Sequence, residues 1–277
     1  MRATTGGCPY GNNKETFMQK LDIHKTAIVD ERAKLGTGVS IGPYSVITAD
    51  VTLGDRTQVG SHCVLTGRTT IGADCRIFTG AVIGSPPQDL KYSDEDVVHL
   101  DIGHHNIIRE YVTMNPGTAQ GEGTTIVGNH NLFMAYTHVA HDCVIGNHCV
   151  LANAATLAGH VTLEDNVVMG GLSAAHQFCR LGRLAMVGGL TKIVQDVPPF
   201  AIADGNPAVV RYVNTIGLER AQISEASVQA LKKAFKFLFF SKLSRQTAMD
   251  LVVKELPMCA ELEHLIFFIK TSKRGLI

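Results

Sequence analysis

Tryptophan is absent from this 277-residue chain, and all aromatic residues together make up 6% of it. Its core must therefore be built from aliphatic and small side chains. Long hydrophobic runs are missing too. Hydrophobic residues reach 45%, yet no run approaches the roughly 20 apolar residues that a membrane-spanning helix needs. Nor is there an excess of charge: 25 Lys and Arg balance 25 Asp and Glu, which argues against a nucleic acid held through its phosphates. The seven cysteines include no CxxC pair and follow no secretory signal, so reduced thiols inside a cell are expected.

Glycine is plentiful, at 27 residues, and much of it falls in phase with a repeat. Stepping by six from Ile23 lands on Val29, Leu35, Ile41, Ile47, Leu53, Val59, Leu65, Ile71, Ile77 and Ile83. The step resumes at Ile102, Ile108 and Met114, and again from Val127 through Phe133, Val139, Ile145, Leu151 and Leu157 to Ile193. A period of six is neither helical nor the alternation of a hairpin; it marks hexapeptide coils of a parallel β-helix. About 26 hexads make roughly nine three-sided coils, stacked ~4.8 Å apart. Likeness to known hexapeptide proteins implies a left-handed prism. The phase breaks near 85–101 and 115–126, where inserted loops are expected. Residues 21–207 are thus read as the β-helix domain. Residues 208–277 carry helical spacing (Val228, Leu231, Phe235, Leu238) and are read as a small helical domain, with "GLERAQ" as a short first helix. Thr247 and Asp250 have capping-box spacing. Residues 1–20 are polar and Gly/Thr/Asn-rich and read as a flexible leader, a tag remnant or the stub of an organellar transit peptide.

The phase also sorts the polar residues. Cys63, Cys75, Cys143, Cys149 and Cys179 sit four past an anchor, in the small inward slot, which weakens Cys143 as a nucleophile. In "THVAHDCVIG", His138, His141 and Asp142 fall in outward slots. Residue n lies beside n+18, so Gly159 and Gln177 stack next to His141, His160 next to Asp142, and His176 close by. A neutral imidazole can take a proton from a hydroxyl, with Asp142 setting its tautomer. The Gly159 N–H can donate to an oxyanion. Zinc is the rival use of a histidine cluster, and His99 with His104 has H-x4-H spacing. A non-catalytic scaffold that binds a carrier protein is a further alternative.

The motifs "AHDC", "LAGHVTLED", "HQFC", "MVGG", "QDVPPF" and "QDLKY" resemble the acyl-carrier-protein-dependent UDP-N-acetylglucosamine O-acyltransferases, from about Ile23 to "RGLI" at the end. The resemblance implies a homotrimer that transfers an acyl chain to the sugar 3-hydroxyl, the first step of lipid A synthesis, with no metal and no cofactor. It implies His141 as general base, Asp142 as its support and Gly159 as oxyanion donor. His138, His160, Asp89, Lys91 and Gln177 are expected on the sugar nucleotide, His176 and Arg220 near it, and Gly189 at the position limiting acyl length. Acyl carrier protein is acidic, and Lys232, Lys233, Lys236, Lys242 and Arg245 offer it a basic helical face. Three features depart from the family pattern: Asn115-Pro116 in place of His-Arg, Ala221 in place of Arg, and Ile216 in place of Glu. With the leader, they point to the mitochondrial matrix, the bacterial cytoplasm being the alternative.

Overall fold

The computed structural model describes residues 21–93 and 95–277, so the leader expected at 1–20 lies outside the described residues. From Asp22 to Ile193 the chain lays down 26 short strands. Successive coils pair in parallel, each strand with the one three earlier, giving sheets of nine, nine and eight of these strands, the first extended to eleven by two later ones. His138 pairs with Thr156 and Val144 with Thr162, an 18-residue register. The last residue of each strand is the hexad anchor and points inward; Ile41, Leu53, Leu65, Val139 and Leu157 are at most 2% exposed. The slot four residues on is also buried, by Ser45, Thr57, Cys63, Cys75, Cys143 and Cys149. β-branched and aliphatic anchors suit this packing because they fill a pleated, closed interior. Cysteine and small hydroxyl side chains fit the tighter slot beside them.

Corners between sheets repeatedly place a non-glycine residue at positive φ, including Asp142 (58°) and His160 (61°). Such a conformation is costly for an L-residue, roughly 1–2 kcal/mol. Here the ladders on either side hold it. The corner residues stack in columns: Tyr111 on Tyr136 and His130 between His105 and His148 on two corners, Asp142, His160 and Phe178 on the third. The inserted loops lie where the phase breaks, between Ile83 and His99 and between Met114 and Thr124.

The Ala201–Asp204 strand still pairs in parallel with the eleven-stranded sheet, and Val209–Val213 then pairs with it antiparallel. The solenoid therefore runs past 207, and the helices begin later: α1 Thr215–Arg220, α2 Glu225–Phe239, α3 Arg245–Glu255 and α4 Ala260–Thr271. Leu231, Phe235, Leu262, Leu265 and Phe268 bury their apolar faces together. The cap of α3 is Ser244, whose hydroxyl accepts from the Thr247 N–H at 3.1 Å. The capping spacing at Thr247 and Asp250 was thus one turn late. Thr247 is the third residue of the helix, and Asp250 takes a bond from Gln246 instead. After α4 the chain returns to the solenoid: Asp196 N–H donates to Gly275 O, and Ile277 N–H to Asp196 O.

Candidate active site

The corner joining the nine-stranded sheet to the eight-stranded one brings the outward residues of "THVAHDCVIG" together. Val139, Cys143 and Ile145 point into the core, which leaves His141 and Asp142 on the turn between them. His141 Nδ1 lies 2.9 Å from Asp142 Oδ2, and the Asp142 side chain is fully buried. Burial alone would raise the Asp142 carboxyl. Bonds from the Thr118 hydroxyl, His141 and the Thr118 N–H outweigh it, and the group sits below its ordinary value. An ionised carboxylate is an acceptor only, so the proton between the two residues belongs to His141 Nδ1, and in the neutral ring Nε2 carries the lone pair.

That Nε2 faces Gly159. A Cβ built on Gly159 would lie 2.4 Å from His141 Cε1 and 2.6 Å from Nε2, so only glycine leaves room for the ring. The Gly159 N–H meets no acceptor among the described residues. At another corner the same turn position is capped: Thr37 N–H donates to Asp55, Asn129 N–H to Asn147, and Asn147 N–H to Asp165. The corner thus offers a base and a free donor side by side. Burial, then the neighbouring His141, push His138 below the usual histidine range; its Nδ1 is 2.7 Å from Thr113 Oγ1. His160 Nε2 is 3.8 Å from Asp142 Oδ2, and its ring stacks on Phe178 at 4.4 Å. Burial pushes Cys143 up to about 12, so it supplies no thiolate.

A groove of about 960 Å³ runs from Asp142 and His160 over Val144 and Phe178 to Arg180 and Arg274. Arg274 donates to His176 Nδ1 at 3.2 Å. Gln177 is exposed on the same corner. Asp89, Lys91, Arg220 and Gly189 are elsewhere: no hydrogen bond or ion pair ties the first three to the cluster among the described residues, and a Cβ on Gly189 would meet only Gly171 O, at 3.4 Å. Asn115 is buried and donates to Ser85 O and Pro86 O, so it tethers the first inserted loop; its Oδ1 has no partner among the described residues. Ile216 and Ala221 are exposed on and just after α1.

Sequence reasoning missed Thr118, Gly121 and Glu122, which close over Asp142. Their signal was a gap in the period, and a gap carries no register. Phe178 was also missed, although it lies 18 residues after His160 and the same spacing would have found it. His141, Asp142 and His160 offer ligand atoms within 4.8 Å of one another, the single such metal-competent group among the described residues. Both Asp142 oxygens already accept hydrogen bonds there, so a metal would have to displace built donors.

The hexad β-helix is the fold of the hexapeptide transferases, and residues 32–67 and 124–159 match the family described as bacterial transferase hexapeptide. Residues 196–277 match the family described as UDP N-acetylglucosamine O-acyltransferase, domain 2. The acyl-[acyl-carrier-protein]–UDP-N-acetylglucosamine O-acyltransferase of Aliarcobacter butzleri is 46% identical over 92% of this chain and 97% of its own. That of Myxococcus xanthus is 49% identical over 92% and 98%. Among solved structures, the Bacteroides fragilis UDP-N-acetylglucosamine acyltransferase superposes with a TM-score of 0.89 at 38% identity, covering 92% and 99% of the two chains. The Arabidopsis enzyme superposes at 0.78 and 34% identity, covering 92% and 99%. The chain belongs to the acyl-carrier-protein-dependent UDP-N-acetylglucosamine O-acyltransferase family, and its solenoid is a left-handed parallel β-helix.

Proposed function

We propose that the chain transfers an acyl group from acyl carrier protein to the 3-hydroxyl of UDP-N-acetylglucosamine, the first step of lipid A synthesis, with His141 as general base. The observation that carries this reading is the pairing of His141 Nδ1 with the buried, ionised Asp142 at 2.9 Å. In the neutral ring this pairing puts the lone pair on Nε2, over Gly159. As the sugar hydroxyl attacks the thioester carbonyl, Nε2 takes its proton, and Asp142 steadies the imidazolium. The tetrahedral oxyanion accepts from the free Gly159 N–H. When it collapses, the carrier thiolate leaves and takes the proton from His141. The product is the 3-O-acyl sugar nucleotide.

His138, His160, Gln177, Asp89 and Lys91 are proposed to contact the sugar nucleotide, Lys91 through a phosphate, with His176 and Arg220 near it. Gly189 is proposed to leave room for a long acyl chain. No hydrogen bond or ion pair joins Asp89, Lys91 or Arg220 to His141 among the described residues, which accords with a homotrimer whose sites lie between copies. The exposed Lys232, Lys233, Lys236, Lys242 and Arg245 fit an acidic carrier protein, so its KM is expected to rise with salt. For the compartment, the bacterial cytoplasm accords with the bacterial relatives; the mitochondrial matrix gains no support from them. No described helix is long and apolar enough to cross a membrane.

The test is direct: incubation with UDP-N-acetylglucosamine and carrier protein charged with 3-hydroxyacyl chains of graded length yields an acylated sugar nucleotide. No product at any length would favour the scaffold reading, to which the departures at Asn115-Pro116 and Ala221 lend weight. His141, Asp142 and His160 could hold a metal only if the donors on Asp142 were displaced. Full rate after dialysis against a chelator is the expected outcome, and a loss restored by zinc would favour a metal-dependent alternative.

A further inference from the structure

The loop between Met114 and Thr124 interrupts the hexad period and folds onto the Asp142 carboxylate. Thr118 Oγ1 donates to Asp142 Oδ2 at 2.7 Å, while the N–H groups of Thr118 and Glu122 donate to Oδ1 at 3.1 and 3.0 Å. Gly121 closes the cradle: a Cβ there would lie 2.5 Å from Asp142 Cγ. Thr118 is itself 2% exposed. Two imidazoles flank the same oxygen, His141 Nδ1 at 2.9 Å and His160 Nε2 at 3.8 Å. A carboxylate free to turn about its Cβ–Cγ bond would serve either ring. With three donors fixed on it, the carboxylate has one orientation, and that orientation serves His141.

We propose that Thr118 is a positioning residue for the acyl transfer, aiming the Asp142 carboxylate at His141 and thereby choosing which histidine becomes the base. The hydroxyl supplies the one side-chain donor of the cradle; the two amides fix the far oxygen. His141 then keeps its proton on Nδ1 and presents Nε2 to the substrate. The other titratable groups around the pair are His138, His160 and Glu122. This inference rests on His141 being the base.

The sign of the effect follows from the charge. Without the Thr118 hydroxyl, Oδ2 is free to turn toward His160 and leaves the His141 imidazolium less stabilised. His141 is then the weaker base and gives up its proton at lower pH. Thr118→Val is expected to lower kcat about tenfold or more and to move the acidic limb of kcat/KM downward by about half a unit or more. The KM for UDP-N-acetylglucosamine should change little, because the lost bond touches no substrate. Thr118→Ser keeps the hydroxyl and should restore both rate and limb. Gly121→Ala, which crowds the carboxylate from the other side, should shift the limb in the same direction and serves if Thr118→Val does not fold.

An unmoved limb in Thr118→Val, or Thr118→Ser as impaired as Thr118→Val, would overturn the proposal, since a merely structural threonine predicts one or the other. His141→Ala belongs in the same series. If it retains full rate, the reading of His141 as base fails, whatever Thr118 does. If it is inactive while Thr118→Val and Gly121→Ala keep the parent rate and pH profile, the role of Thr118 alone fails.

Discussion

At Gly159 any added Cβ would lie 2.4 Å from the His141 ring, so the smallest substitution moves the base. Gly159→Ala is expected to lower kcat by roughly 10²–10³, the scale of a lost oxyanion donor, because it both crowds the ring and shields the N–H. The thermal midpoint should change little, as no core side chain is altered; a variant with parent turnover would remove Gly159 from the site. At this scale the outward residues are legible in the sequence alone. His138, His141 and Asp142 are placed by the phase of Val139 and Ile145, and Gly159 and His160 by a shift of 18. The cradle around Asp142 is not legible there, because Thr118, Gly121 and Glu122 lie in a segment that keeps no period.

Among the elements, the strands are the readable part. An anchor every sixth residue needs only that one side chain per strand point inward, and the buried row from Ile41 to Ile193 obeys that. The helices are readable by their apolar faces but less so at their ends. The antiparallel Val209–Val213 strand keeps no hexad and sits in a stretch read as helical, since pairing with Ala201–Asp204 decides its conformation. The start of α3 is decided by one hydroxyl, that of Ser244. Ser244→Ala should cost the helix about 1 kcal/mol. Amide exchange at Thr247 should quicken while acyl transfer is unchanged; unaltered exchange would mean that the cap contributes nothing.

Across the whole molecule the three corners of the prism carry different chemistry. One holds Asp142, His160 and Phe178. A second stacks His105, His130 and His148. The third exposes Tyr44, Tyr111, Tyr136, Leu172 and Leu190, the last 72% accessible. A row of large apolar side chains in water is a surface that association would bury. Association into the proposed homotrimer predicts a solution mass of about three times the 29.8 kDa of one chain, read by light scattering; a stable single-chain mass with full activity would contradict it. The central claim concerns one imidazole. Its most direct test is the turnover of His141→Ala with charged acyl carrier protein and UDP-N-acetylglucosamine, at unchanged circular dichroism and solution mass. A fall of roughly 10²–10⁴ is predicted for a lost general base, and a variant that keeps the parent rate would contradict it.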